Sequence, residues 1–116
     1  MGNMNVKPAD GKLGVLCVGL GAVTSTFMTG VLMARKGLAK PVGSMTQYDK
    51  MRVGRGENKK YLHYGEIVPL ADLKDIVFGA WDVYPANAYE SAINAEVLKE
   101  RDINPVKDEL EKIVPM

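Results

Sequence analysis

The stretch Leu-Gly-Val-Leu-Cys-Val-Gly-Leu-Gly-Ala-Val-Thr, residues 13–24, decides the fold that the sequence predicts. Its first six residues carry no charged or hydroxyl side chain and are rich in branched ones, which is typical of a strand buried on both faces of a parallel sheet. Gly19 and Gly21 then interrupt the apolar run. The strand is therefore predicted to end at Val18 and to lead into a tight turn.

The spacing of the apolar residues changes after these glycines. Val23, Phe27, Val31 and Ala34 are separated by four, four and three residues, so they would share one buried face of a helix over residues 22–35. Strand, glycine turn and helix in this order are typical of α/β proteins with parallel strands.

Farther along the chain, residues 76–80 repeat the buried-strand pattern. Residues 42–47 and 61–68 are weaker strand candidates, separated by a glycine-rich stretch that indicates hairpins or an irregular excursion, and residues 69–73 suggest a helical turn. A mononucleotide-binding half needs three parallel strands. The predicted fold class is therefore α/β, an incomplete Rossmann-like parallel sheet with flanking helices.

Two further helices are predicted in the last third of the chain. Asn87 and Glu90 have the spacing of a capping box, which indicates a helix from there to about residue 100. Its apolar face would be formed by Tyr89, Ile93 and Val97. Asn104 as a cap and Pro105 at the first helical position predict a last short helix. Its apolar side would be formed by Val106, Leu110 and Ile113.

Composition limits the classes of function. The chain has 116 residues, which suits one domain, and 15 Lys and Arg against 14 Asp and Glu leave a formal charge of +1. So small a charge argues against nucleic acid or another polyanion as a partner. The single cysteine, Cys17, excludes an internal disulfide and a multi-cysteine zinc site, and the single histidine, His63, argues against a His-paired metal site. We therefore predict no metal site.

The charges are distributed unevenly along the chain. Residues 35–60 carry eight basic and two acidic side chains, whereas residues 61–116 carry five basic and eleven acidic ones. A solvated face is the usual explanation of such a basic segment, and a region that faces an anion is the alternative.

The glycine turn is the motif that carries chemistry. A loop such as residues 19–24, placed between a strand and a helix, is where dinucleotide-binding proteins hold a pyrophosphate: the first glycine permits the turn, the second lets the anion approach, and the helix start offers N–H groups. Thr24 stands where this motif has a third glycine or alanine, and the acidic residue expected about twenty positions later is missing, because that count falls on Pro41 and Val42. A purely structural glycine turn is the open alternative.

Residues 13–34 also form a run of 22 positions without a charge, long enough to cross a bilayer. Four of these positions are Ser or Thr and four are Gly, which weakens membrane insertion and helix propensity. We therefore predict a strand and a helix here, and no membrane partner. The alternative interpretation is a small non-enzymatic or membrane-attached protein whose glycine turn is structural.

Several short strings, taken in order, resemble the front part of the myo-inositol-phosphate synthase family. They are Gly-Leu-Gly-Ala-Val-Thr-Ser-Thr (19–26), Gly-Ser-Met-Thr-Gln (43–47), Met-Arg-Val-Gly (51–54) and Val-Phe-Gly-Ala-Trp-Asp-Val (77–83). Arg-Lys-Gly-Leu (35–38) and Val-Pro-Leu-Ala-Asp-Leu (68–73) resemble its bacterial branch. The resemblance extends from about residue 11 to residue 100. It departs at Ala80, where the family usually has a second glycine before Trp-Asp, and in a glycine loop shorter than the eukaryotic one.

The resemblance implies an NAD-dependent isomerase of inositol and phospholipid biosynthesis, which converts glucose 6-phosphate to inositol phosphate by oxidation, aldol cyclisation and reduction. It further implies a cytoplasmic homo-oligomer with a Rossmann-like domain and a separate catalytic domain. Residues 1–10 are polar with one proline and are predicted to be a disordered tail. In the family's scheme residues 11–116 are the N-terminal part of the NAD-binding domain. The implied NAD-binding residues are Gly19, Leu20, Gly21, Ala22, Val23, Thr24 and Asp82. Asp82 matches the family's Trp-Asp aspartate and would hydrogen-bond the adenosine ribose.

The family's catalytic lysines would lie beyond residue 116, and Lys36 and Lys40 do not match them. No catalytic residue is therefore assigned in this chain. We expect the 116 residues to be inactive alone, and the sugar phosphate to bind only to the full-length protein.

Overall fold

The computed structural model describes residues 7, 8 and 10–116, so most of the tail predicted for residues 1–10 lies outside the described residues. The described part of the chain contains four strands and six helices. They are β1 (Leu13–Val18), α1 (Ala22–Arg35), α2 (Met45–Tyr48), β2 (Lys50–Val53), β3 (Lys60–His63), α3 (Tyr64–Ile67), β4 (Ile76–Trp81), α4 (Ala88–Ala95), α5 (Glu100–Ile103) and α6 (Lys107–Glu111). Three 3-10 turns lie at Gly56–Asn58, Leu73–Asp75 and Asn104–Val106.

The central element is a parallel pair formed by β1 and β4. Leu13 is opposite Ile76 and Val18 is opposite Trp81, so the two strands run side by side over their whole length. The pairing continues one residue further, because Gly19 N–H donates to the Trp81 carbonyl at 2.7 Å. The predicted α/β class with parallel pairing is confirmed, and both predicted strands lie where the sequence places them.

The core lies on one face of this sheet. Helices α1, α4 and α6 contact one another there, and side chains of both strands, Cys17 and Phe78, pack against the buried cluster. The prediction that β1 is buried on both faces is wrong. In the described chain the helices gather on one side, and Leu16 (60% exposed) and Val18 (88%) face away from them.

Helix α1 has the predicted length but buries a different face. The predicted face began at Val23, which is 84% exposed, and Phe27 is 44% exposed, whereas its third residue, Val31, is buried. The buried positions are Ser25, Met28, Thr29, Val31 and Leu32. Two of them are hydroxyl residues. The Thr29 hydroxyl donates a hydrogen bond to the Ser25 carbonyl at 2.7 Å. A pattern that counts only apolar residues misses such a face, because a small hydroxyl can be buried once it bonds the preceding turn.

The segment between α1 and β4 differs from its prediction in detail. Residues 42–47 do not form the expected strand, since helix α2 begins at Met45. Of the two alternatives left for the glycine-rich stretch, a hairpin is present: β2 and β3 pair antiparallel, with Lys50 opposite His63. The strand expected over residues 61–68 ends at His63, where α3 begins. The helical turn expected at residues 69–73 lies slightly later, at Leu73–Asp75.

The two helices predicted in the last third of the chain begin close to the expected residues. Asn87 caps α4 as predicted, because its Oδ1 accepts from the Glu90 N–H at 2.9 Å. The helix ends at Ala95 rather than near residue 100, since Glu96 adopts a left-handed conformation with φ 56°. Val97 therefore lies beyond the helix and is exposed.

The expected cap of the last helix is wrong. Residues Glu100–Ile103 are already helical, and the Asn104 Oδ1 accepts from the Tyr89 hydroxyl at 2.9 Å instead of capping the backbone. The predicted apolar side is confirmed: Val106 and Leu110 are fully buried and Ile113 packs against them.

The difference between the predicted and observed faces of α1 is testable by truncation. Met28→Ala removes a fully buried side chain and is expected to lower the free energy of unfolding by about 2–5 kcal/mol. Val23→Ala, on the exposed face, should change it by no more than about 0.5 kcal/mol. Denaturant titrations of both variants measure the two changes. Equal losses would contradict the observed orientation of the helix.

Candidate functional site

The turn between β1 and α1 exposes the start of a helix. Gly19 has φ +96°, a conformation that favours glycine, and Gly21 precedes the helix with nothing within 4 Å of the position that a Cβ would occupy. No side chain caps the helix. The Ser25 N–H is the first to bond within it, to the Gly21 carbonyl at 3.0 Å. The described residues therefore offer no acceptor to the N–H groups of Ala22, Val23 and Thr24.

Asp82 lies next to this turn although it comes 62 positions after Leu20 in the chain. It directly follows β4, and because β1 and β4 are parallel neighbours their carboxyl ends meet at the same edge. Its Oδ2 accepts from the Leu20 N–H at 2.7 Å, and its Oδ1 accepts from the Tyr84 N–H at 3.0 Å. The ends of the two strands therefore lie side by side.

The same two contacts change the acidity of the carboxyl group. The N–H bond from Tyr84, and after it the bond from Leu20, lower the pKa of Asp82 below its ordinary value of 3.8. Asp82 is therefore ionised at neutral pH and acts as an acceptor.

A cavity of about 380 Å³ lies between the glycine turn, Asp82 and helix α4. Four of the predicted residues line it: Leu20, Gly21, Ala22 and Asp82. Gly19, Val23 and Thr24 are absent from its lining. Gly19 shapes the turn beneath the cavity, and the Val23 side chain points to solvent.

Sequence reasoning missed five residues of this cavity: Ala86 and Ala95, and the polar side chains of Tyr84, Ser91 and Asn94. Ser91 and Asn94 are three positions apart and so lie on one side of α4. The sequence predicts the position of Ser91 and Asn94 in part, because the Asn87 cap sets where α4 begins. Which side of α4 faces the turn depends on packing against α1.

The arrangement suits a ligand with an anionic part and a hydroxylated part. Unbonded N–H groups and the positive end of the α1 dipole attract an anion, and a phosphate group at such a helix start is a common arrangement. A carboxylate offers about four acceptor sites, so Asp82 retains capacity for a ligand hydroxyl after its two N–H bonds. Among the residues that the structure describes, no basic side chain lines the cavity.

The described residues also bear on metal binding and on membrane insertion. Within residues 7, 8 and 10–116, no three His, Cys, Asp or Glu side chains are grouped as metal ligands would be. Over the same residues, no helix has the length and apolar character needed to cross a membrane.

Comparison with known proteins gives a consistent result. The family model described as Myo-inositol-1-phosphate synthase, an NAD-binding domain, matches residues 13–116. An inositol-3-phosphate synthase of Bacteroides thetaiotaomicron is 59% identical over 112 residues, which are 96% of this chain and 25% of that protein. One from Oryza sativa is 32% identical over 117 residues, covering 90% of this chain and 23% of that protein.

A solved structure agrees with these sequence matches. The crystal structure of inositol-3-phosphate synthase from Caenorhabditis elegans superposes with a TM-score of 0.77 at 27% identity, covering 95% of this chain and 24% of that one. The chain thus spans about a quarter of the length of the relatives it matches. The match fits the expected partial Rossmann-like α/β fold.

The lowered pKa of Asp82 predicts how the site responds to acid. A carboxyl whose pKa is lower in the folded state stabilises that state above its ordinary pKa, and this contribution is lost as pH falls through the folded pKa. Asp82→Asn should therefore be less stable than the unsubstituted protein at pH 7, and the difference should shrink as pH falls below 3.8. Denaturant midpoints at pH 7, 5 and 3 measure it. A difference that is the same at all three values would contradict the prediction.

Proposed function

Because the chain belongs to the myo-inositol-1-phosphate synthase family, we propose that residues 11–116 form the front part of its NAD-binding domain and that the crevice beside Asp82 holds the cofactor. The observation that carries this proposal is the 2.7 Å bond between Leu20 N–H and Asp82 Oδ2. It places the glycine turn, which would bind the anion, beside the carboxylate that would bind a hydroxyl, and both line one cavity.

The residues of the turn would hold the pyrophosphate. The backbone at Gly21 is open to the approach of an anion, since nothing occupies the space where a side chain would stand. The N–H groups of Ala22 and Val23 follow at the start of α1, where the helix dipole favours negative charge.

Asp82 would hold a ribose hydroxyl. The residues about twenty positions after the glycines, Pro41 and Val42, have no side chain that can accept a hydrogen bond. Asp82 reaches the crevice instead from the neighbouring strand β4, and its ionised carboxylate is a strong acceptor. Ser91 and Asn94 are further polar side chains in the lining of the same cavity.

For the whole protein we propose the activity of the family: isomerisation of glucose 6-phosphate to inositol phosphate by a cytoplasmic homo-oligomer. Bound NAD supplies the hydride acceptor and donor for the oxidation and the later reduction. This chain's residues would bind and orient it, and none of them is assigned a catalytic role. We propose neither nucleic acid nor a membrane as a partner.

Substitutions at the two ends of the crevice test the cofactor site. Gly21→Val places a branched side chain where the phosphate must approach, and should abolish measurable NAD binding. Asp82→Ala removes a charge-assisted hydrogen bond, and should weaken binding by about ten- to hundredfold. Isothermal titration calorimetry of the protein as its gene encodes it measures both affinities.

Gly14→Val is the matched control for this experiment, because Gly14 lies in β1 with nothing within 4 Å of its missing Cβ. It should bind NAD like the unsubstituted protein. If Gly21→Val and Asp82→Ala also bind NAD normally, the turn is structural and the site assignment is wrong.

A second experiment concerns the 116 residues in isolation. We expect them to show no conversion of glucose 6-phosphate in the presence of NAD, because the family's catalytic lysines match none of their residues. Inositol phosphate formation is measured against a blank without protein. Turnover clearly above that blank would contradict the expectation.

A further inference from the structure

The glycine turn is held in place mainly by hydrogen bonds to residues outside it. Within the turn, Gly19 contributes an unusual conformation and Gly21 carries no capping side chain. The fixing contacts come from β4: Gly19 N–H bonds the Trp81 carbonyl, and Leu20 N–H bonds Asp82, both at 2.7 Å. The Leu20 side chain is anchored in the core with 4% exposure.

Asp82 itself has a defined position. Its second oxygen accepts from Tyr84 N–H at 3.0 Å, so the carboxylate joins the turn after β1 to the turn after β4. A carboxylate between two backbone donors resists rotation more than one that bonds a single partner, because any rotation breaks one of the two bonds. The direction of Leu20 N–H is set by this group.

We propose that Asp82 is a positioning residue for the phosphate-binding N–H groups, and that this role is separate from its contact with a ribose hydroxyl. By taking up Leu20 N–H, it orients the peptide that leads into Gly21 and fixes how the first N–H groups of α1 face the cavity. The proposal rests on the proposed function, because it assigns to the same site the means by which its anion-binding end is arranged.

Two consequences follow for the site. Leu20 N–H is committed to Asp82, so the phosphate donors are the N–H groups that follow it and Leu20 contributes through its buried side chain. Asp82 uses only two of its roughly four acceptor sites on backbone donors, so positioning and ribose binding can occur together.

Hydrogen exchange of single amides in the absence of NAD tests the proposal independently of cofactor binding. In Asp82→Ala, we expect the amides of Leu20 and Tyr84 to exchange about ten- to hundredfold faster. Asp82→Asn keeps one acceptor oxygen and should protect one of the two amides. Amides in the middle of α4 should exchange at unchanged rates in both variants.

Asp72→Ala serves as the matched control, since Asp72 is an exposed aspartate whose contact with Lys74 is 3.9 Å long. It should leave exchange at Leu20 unchanged. Normal exchange at Leu20 in Asp82→Ala, or equal acceleration of all amides, would overturn the positioning role. If Asp82→Ala does not fold, the Asp82→Asn comparison decides alone. A failure of NAD to bind would refute the proposed function and leave this result standing.

Discussion

The parallel pairing of β1 with β4 is the constraint on which the rest of the structure depends. Parallel strands cannot be joined by a tight turn, so the chain between them must cross over the sheet, and α1 forms the first part of that crossover. The pairing brings residues that are 62 positions apart, Leu20 and Asp82, into hydrogen-bond contact. Without this register, the glycine turn and the aspartate would have no common crevice.

Packing on one face of the sheet maintains that register. Met28 and Leu32 of α1 enter a core with residues of α4 and α6. Arg35 at the end of α1 donates through Nε to the Leu73 carbonyl at 2.7 Å and through Nη2 to the Ile76 carbonyl. The helix is thus tied at its end to the start of β4. Its beginning is tied to the end of β4 through the turn. Both contacts hold the helix start at the edge where the crevice opens.

How much of this was predictable depends on how local each signal is. The bounds of β1 and α1 and the position of β4 follow from short patterns, because an apolar run, a pair of glycines and a change of period are features of neighbouring residues. The buried face of α1 was only partly predictable from apolar spacing: Met28, Val31 and Leu32 are apolar, but Ser25 and Thr29 are buried because their hydroxyls bond the helix itself.

The residues of the site also differ in how far the sequence predicts them. The turn at residues 19–24 was visible as a motif, whereas Asp82 was reached only through a family resemblance and the geometry of parallel strands. The placement of Ser91 and Asn94 depends on how α4 is rotated against α1, and that of Tyr84 depends on the turn after β4; no short pattern encodes either. The bond from Leu20 to Asp82 required the structure, because it joins a backbone donor to a distant side chain.

The central claim is that the crevice between the ends of β1 and β4 receives the cofactor. A crystal structure of the protein with NAD tests it most directly. The account predicts pyrophosphate oxygens within hydrogen-bond distance of the Ala22 and Val23 N–H groups, a ribose hydroxyl on the Asp82 carboxylate, and the Leu20–Asp82 bond intact. NAD bound elsewhere on the protein, with this crevice empty, would contradict it.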